Sequence, residues 1–365
     1  METADRGREP AQSTFTKRRC PQLQSFALAL SSEQAQALQL LVILLVVVAI
    51  LVAANLGDTN EAWRIAAYLL TLTAASVVAL LALLTLSLVA VAPAAATTSA
   101  RSNGVSLSRF ALGAGLELLA GAAAAMALLP PVRRAVARIA PGFRWDSSIN
   151  AVGLALYLLA LLFYVSIQVS ADQLKQLSEG GQSPSVIFII STNQLPFLVV
   201  ALAGVGLFTR RGVRDTLLRL GLIWPGWGWI AASVGVAIGL VIFGTVFDTL
   251  MTHLTPDQSR SIQQVSNQLL KNVNSLVPAI ALALAAGVGE EVLFRGALLP
   301  RLGNPAAALL FAVLHAQYAI SLATLEIFIL GLVLGMLRRR AGTTGAIVAH
   351  TAYDMILLLV SLYAH

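Results

Sequence analysis

Residues 37–56 read ALQLLVILLVVVAILVAANL, an apolar run broken only by Gln39 and Asn55. A helix of about 20 such residues spans the hydrocarbon of a bilayer. Outward from it, runs of the same character occupy 62–92, 110–130, 148–170, 186–209, 225–250, 276–299, 305–320, 322–337 and 341–363. None alternates in polarity as the strands of a membrane barrel do, which leaves helices as the structure able to satisfy every backbone group in lipid. The expected fold is all-α: a polytopic transmembrane helix bundle of about eight to ten spans. Along the chain it divides into a basic tail over 1–36, a membrane region over 37–275 and a terminal helix bundle over 276–363.

Composition points the same way. Hydrophobic residues make up 58% of the chain and charged ones 11%, against about a quarter charged in soluble domains, and mean hydropathy is +0.81. The surplus apolar surface has to face lipid. Lys and Arg number 24 against 17 Asp and Glu, a net charge of +7. In a soluble chain that excess would suggest nucleic acid. Here the basic residues fall between apolar runs, where the positive-inside rule places them on cytoplasmic loops, so no nucleic-acid partner is expected. Cys20 is the single cysteine, which excludes a disulfide framework and a cysteine metal site. The first 36 residues, with Lys17, Arg18 and Arg19, lack the early apolar core and cleavage site of a signal peptide. They read as a disordered cytoplasmic tail.

From residue 131 the charges alternate from side to side. Arg133, Arg134, Arg138 and Arg144 fall inside, and Asp172, Lys175 and Glu179 outside. Arg210, Arg211, Arg214 and Arg219 fall inside, the polar loop 251–275 outside, then Arg295, Arg301 and Arg338 to Arg340 inside. In the N-terminal third one element breaks the rule. The candidate is 110–130, which carries Glu117 among Ala and Gly, as a re-entrant or interfacial helix or a plain exception. Residues 213–223 alternate charge with Leu at helical spacing and are expected to lie along the interface.

A charge at mid-membrane costs a few kcal/mol or more, so an ionisable residue inside a span is a functional candidate whose partner has to be found. Three clusters qualify: Glu290-Glu291-Val292-Leu293-Phe294-Arg295, then Phe311-Ala312-Val313-Leu314-His315, then His350-Thr351-Ala352-Tyr353-Asp354. Residues four apart share a helix face, so Glu291 can meet Arg295 and His350 can meet Asp354. Under the topology above, Glu290, His315 and His350 all lie within roughly ten residues of a cytoplasmic helix end, up to about 15 Å deep. That common depth suits a shared cavity.

EExxxR, FxxxH and HxxxN/D in that order, here EEVLFR, FAVLH and HTAYD, resemble the signature of the CPBP family of intramembrane proteases, which includes the CAAX prenyl endopeptidases. The resemblance covers about residues 276–363. It implies an intramembrane endopeptidase in which Glu290 activates a water that His315 helps to position, and His350 and Asp354 stabilise the oxyanion of the tetrahedral intermediate. Glu291 and Arg295 are assigned to an orienting ion pair. Many members end the third motif in Asn; an ionised Asp354 accepts only, and would orient His350 or act protonated.

Zinc is the one cofactor in view, since Glu290, His315 and His350 form a possible ligand set and the family has been described as metalloproteases. The HExxH helix of the zincins is missing, and a metal-free glutamate mechanism fits the same residues. Expected partners are the lipid bilayer and a peptide or membrane-protein substrate, and the Ala-, Leu- and Val-rich style suggests the cytoplasmic membrane of a bacterium. Two other classes stay open. One is a non-catalytic scaffold or self-immunity factor against a peptide toxin. The other is a transporter, for which Asn193, Gln194 and Pro196 in the fifth span are the only hint.

Overall fold

The computed structural model describes residues 32–91, 107–170, 183–315, 318 and 320–363, and all regular structure among them is helical. Of the tail expected over 1–36, residues 1–31 lie outside the described residues, as does the loop carrying Asp172, Lys175 and Glu179, while residues 32–36 form the first turns of a helix. We number the helices α1 (Ser32–Leu56), α2 (Glu61–Val91), α3 (Leu107–Ala127), α4 (Pro130–Ile139), α5 (Ser148–Ser170) and α6 (Val186–Val205). They continue as α7 (Val213–Leu220), α8 (Trp227–Leu254), α9 (Pro256–Leu270), α10 (Leu276–Leu302), α11 (Asn304–Leu314) and α12 (Leu322–Tyr363). Eight of these are long and apolar enough to cross a membrane. This is a polytopic all-α membrane protein.

The long element α12 is two arms joined at Gly342, whose φ of 68° lies in the left-handed region. A Cβ there would come within 2.8 Å of the Gly221 carbonyl oxygen, and next to it the Thr343 amide donates to that same oxygen at 2.8 Å. Glycine is thus required by both conformation and contact. The arms correspond to the spans expected at 322–337 and 341–363.

Contacts between loops sort the helix ends into two groups. Asp58, in the α1–α2 turn, accepts from Ser147 and Ser148 at the start of α5 and pairs with Arg210 after α6. The Pro300 carbonyl lies against Gly142, and Gly221 meets Gly342. The arginine-bearing connections therefore share one end of the bundle. At the other end the Ser185 amide donates to Glu33 at 3.2 Å, and Asn272 donates to the Ser183 and Pro184 carbonyls.

Two expectations change. Helix α3 is a 21-residue element, with Gly121 seated on Ala75 and Ala79 of α2 and Glu117 accepting from Ser166 of α5 at 3.0 Å. It is long and apolar enough to cross as one continuous helix. The start of α1 lies at the end opposite the arginine-bearing connections, where Glu33 accepts from the Ser185 amide. The polar stretch 251–275 also contains a helix, α9, which buries Ile262 and Val265.

Two cores result. One, built by α1 to α5, is lined by Ile50, Leu51, Val152 and many alanines, among them Ala54, Ala67, Ala124 and Ala155. Such small residues let membrane helices approach closely. The other surrounds α10 to α12 and also draws in Tyr157, Ala201, Leu220 and Leu240 from α5 to α8. Residue 276 begins α10.

Candidate active site

Proline shapes the helices that carry the site. Pro300 has no N–H to give the carbonyl four residues back, that of Gly296, and α10 widens into a π turn over Val292–Leu298. Arg219 of α7 donates to that Gly296 carbonyl at 3.1 Å instead. Pro196 in α6 likewise follows a π turn at Ile190–Gln194. Single π turns in α-helices recur at functional sites.

The α10 turn presents Glu290, Glu291 and Arg295 to the interior. All three are buried. Arg295 Nη1 donates to Glu291 Oε1 at 2.7 Å, Nη2 donates to the Gly331 carbonyl at 3.1 Å, and the guanidinium lies 4.4 Å from the Phe311 ring centre. Glu291 Oε1 also receives His350 Nδ1 at 2.8 Å. A carboxylate of a buried ion pair accepts, so Nδ1 carries a proton and Nε2 is turned to the other side of the ring. There it lies 4.0 Å from Glu290 Oε2 and 3.5 Å from Asp354 Oδ2. Of the two carboxylates flanking His350, Glu291 is the closer, and Asp354 stands on the Nε2 side.

His315 was expected within a helix and instead occupies the cap position, where α11 stops at Leu314 and the backbone turns to φ −79°, ψ 54°. Its Nδ1 contacts the Phe311 carbonyl at 2.7 Å. A carbonyl can only accept, so this nitrogen carries a proton, and Nε2 lies 3.9 Å from Glu290 Oε2. Phe311 also packs against both histidines, tilted to His315 and edge-on to His350, with ring centres 4.7 Å and 6.0 Å away.

Glu290, His315, His350 and Asp354 thus come together from three elements, and Glu290 Oε2 is a buried oxygen with no hydrogen-bond partner. Its other oxygen is held by a residue that sequence reasoning weighed only as a transporter hint. Gln194 Nε2, in the π turn of α6, donates to Glu290 Oε1 at 3.1 Å. Gly289 makes this approach possible, since a Cβ there would sit 2.5 Å from the Gln194 carbonyl. The available signals were a polar pair before a proline in an apolar span and the glycine beside Glu290.

The zinc set can be tested on these distances. Ligands about 2.1 Å from a tetrahedral zinc lie about 3.4 Å from one another, whereas Glu290 Oε2 is 3.9 and 4.0 Å from the two Nε2 atoms. Among the described residues no group of three His, Cys, Asp or Glu is arranged to hold a metal. As placed, these side chains do not fit a zinc ion.

Comparison with curated proteins finds no match, and comparison with solved structures finds none. Residues 272–356 match the family described as type II CAAX prenyl endopeptidase Rce1-like. That segment holds all three motifs and both histidines of the site, and the match supports reading it as a domain of the CPBP type of intramembrane protease.

Proposed function

We propose that the chain hydrolyses a peptide bond in a membrane-associated peptide or protein, with Glu290 as general base. The observation that carries this reading is the unpartnered Glu290 Oε2 between two imidazole Nε2 atoms at 3.9 and 4.0 Å. A water among these three groups gives one proton to Glu290 and points the other at the His315 lone pair, leaving its oxygen free to attack a carbonyl carbon. Gln194 holds the carboxylate so that Oε2, not Oε1, faces the reacting water.

As the tetrahedral intermediate forms, the carbonyl oxygen gains negative charge. In its doubly protonated form, His350 donates from Nδ1 to Glu291 and from Nε2 to that oxyanion. Asp354, beside Nε2, offsets the imidazolium charge. Collapse breaks the C–N bond, and the proton held by Glu290 passes to the leaving amine. The positive-inside rule puts the arginine-bearing end in the cytoplasm.

Glu290→Gln tests this reading. The amide keeps the shape of the side chain but takes no proton from water, so turnover should fall by about 100- to 10,000-fold while thermal unfolding in detergent stays near wild type. Reconstituted protein would be assayed on a farnesylated C-terminal peptide and on an unmodified transmembrane peptide. Near-normal turnover in the variant removes Glu290 as the base. A wild type that binds either peptide tightly and cleaves neither favours a scaffold or immunity role.

A further inference from the structure

At the arginine-bearing end, four half-buried arginines from four places in the chain surround α7: Arg211, Arg219, Arg301 and Arg338. Arg219 reaches the Gly296 carbonyl. Arg338 flanks the same turn from α12, with Nη2 3.4 Å from where a Gly221 Cβ would be. Arg211 donates to the Val205 carbonyl at the end of α6. Burial and the neighbouring charges of Arg301, Arg211 and Arg338 push the Arg219 guanidinium down to about 10.

No member of this set makes an ion pair among the described residues. Arg338 Nε is a buried donor with no acceptor. The nearby carboxylates answer little of the charge: Asp58 acts on Arg301 from a distance but is paired with Arg210, and Asp215 is exposed on α7 without an ion pair. Four like charges packed together with free donors are costly unless an anion completes them.

The level of the cluster shows where that anion comes from. Helix α7 buries Thr216 and Leu220 and exposes Val213, Leu217 and Leu218, as a helix lying in the bilayer interface does. Just beyond it Trp224, Trp227 and Trp229 are exposed, the first two in edge contact with ring centres 4.9 Å apart. Exposed tryptophans mark the headgroup level.

We propose that Arg211, Arg219, Arg301 and Arg338 form a binding site for the phosphate of an anionic phospholipid headgroup. A guanidinium fork suits a phosphate bidentately. The site also abuts the catalytic helix, because Arg219 occupies the carbonyl freed by Pro300 and Leu220 packs on Gly296. A bound headgroup would hold α7 against the π turn that carries Arg295.

The test needs no substrate. Full-length protein in nanodiscs of phosphatidylcholine, with or without phosphatidylglycerol, would be released and its retained lipid counted by native mass spectrometry. The wild type should retain phosphatidylglycerol in preference. Arg219→Gln and Arg338→Gln should each weaken that retention about fivefold, while Arg214→Gln, exposed on the same helix, should change it little. If Arg219→Gln unfolds the protein, Arg301→Gln carries the same comparison. No preference in the wild type overturns the site. So does an equal loss in Arg214→Gln, which would mean a diffuse surface attraction, or displacement of the lipid by inorganic phosphate at comparable concentration, which would mean a soluble anion.

Discussion

In the core built by α1 to α5, alanine, isoleucine and leucine fill the interior, and most polar contacts gather at helix ends, as where Asp58 joins the starts of α2 and α5. The Glu117–Ser166 bond is one exception. Around α10 to α12 the arrangement reverses: Glu290, Glu291, Arg295 and His350 are buried in mid-helix and, with Gln194 of α6, bonded across α6, α10 and α12. In lipid, small apolar residues allow helices to pack but do little to choose among registers. A buried polar network penalises every arrangement that leaves a member unpaired. The first core supports; the second fixes atoms to within hydrogen-bond reach.

That contrast can be broken most severely at Arg295. The pair with Glu291 has side-chain exposures of 1% and 0%, and removing one partner of a fully buried pair costs about 3–5 kcal/mol. Arg295→Gln should therefore lower thermal stability strongly, whereas Glu117→Gln in the other core should change it by far less. Glu291→Gln should add a second effect, since it also loses the acceptor that orients His350. Loss of turnover beyond the loss of folded protein, measured by normalising activity to the folded fraction, would separate the two. Equal stability losses in both cores would mean that the networks do not differ as described.

The distinction also explains what the sequence reveals. A charge in an apolar run stands out because it is expensive, so Glu290, His315, His350 and Asp354 could be picked out before any fold was known. The spans were legible for the converse reason, since lipid demands about 20 apolar residues. Gln194 was not legible in the same way. A neutral amide in a span carries a smaller penalty, and its pairing with Glu290 depends on a π turn and on Gly289. The end of α11 at Leu314 is equally hidden, because nothing in FAVLH signals that His315 leaves the helix. For the N-terminal third, charge counting alone does not name the element that breaks the rule, as short charged loops bias orientation without dictating every one.

The amide that was hard to see gives the next sharpest test. A hydrogen bond to a charged group is worth about 1.5–3 kcal/mol, and if Gln194 acts only by aiming Glu290, its loss should appear in kcat. Gln194→Leu should lower kcat by roughly 10- to 100-fold with KM little altered. Placed on top of Glu290→Gln, it should have almost no further effect, because the group it orients no longer acts. Additive losses in the double variant, or a change confined to KM, would remove Gln194 from a positioning role while leaving Glu290 as the base.

The smallest effect belongs to the supporting core, at Asp58. Its carboxylate accepts the Ser148 amide at 2.6 Å and the Ser148 hydroxyl at 2.7 Å, so it caps the start of α5 from a neighbouring loop. Burial alone would raise this group, but the Ser148 and Ser147 hydrogen bonds and the Arg210 charge outweigh it and hold the carboxyl below its usual 3.8. A carboxylate depressed in the folded state contributes stability that is fully present above its unfolded value and is lost as pH falls through the folded one. Unfolding in detergent should thus weaken only below about pH 4 on account of this group. Asp58→Asn should cost about 0.5–2 kcal/mol at neutral pH, the range for a lost helix cap, and the gap from wild type should close as the medium is acidified. Since Asp58 lies far in sequence from the site and touches none of its residues, kcat per folded molecule should not change. A fall in kcat would show that the two cores are coupled more tightly than their contrasting construction implies.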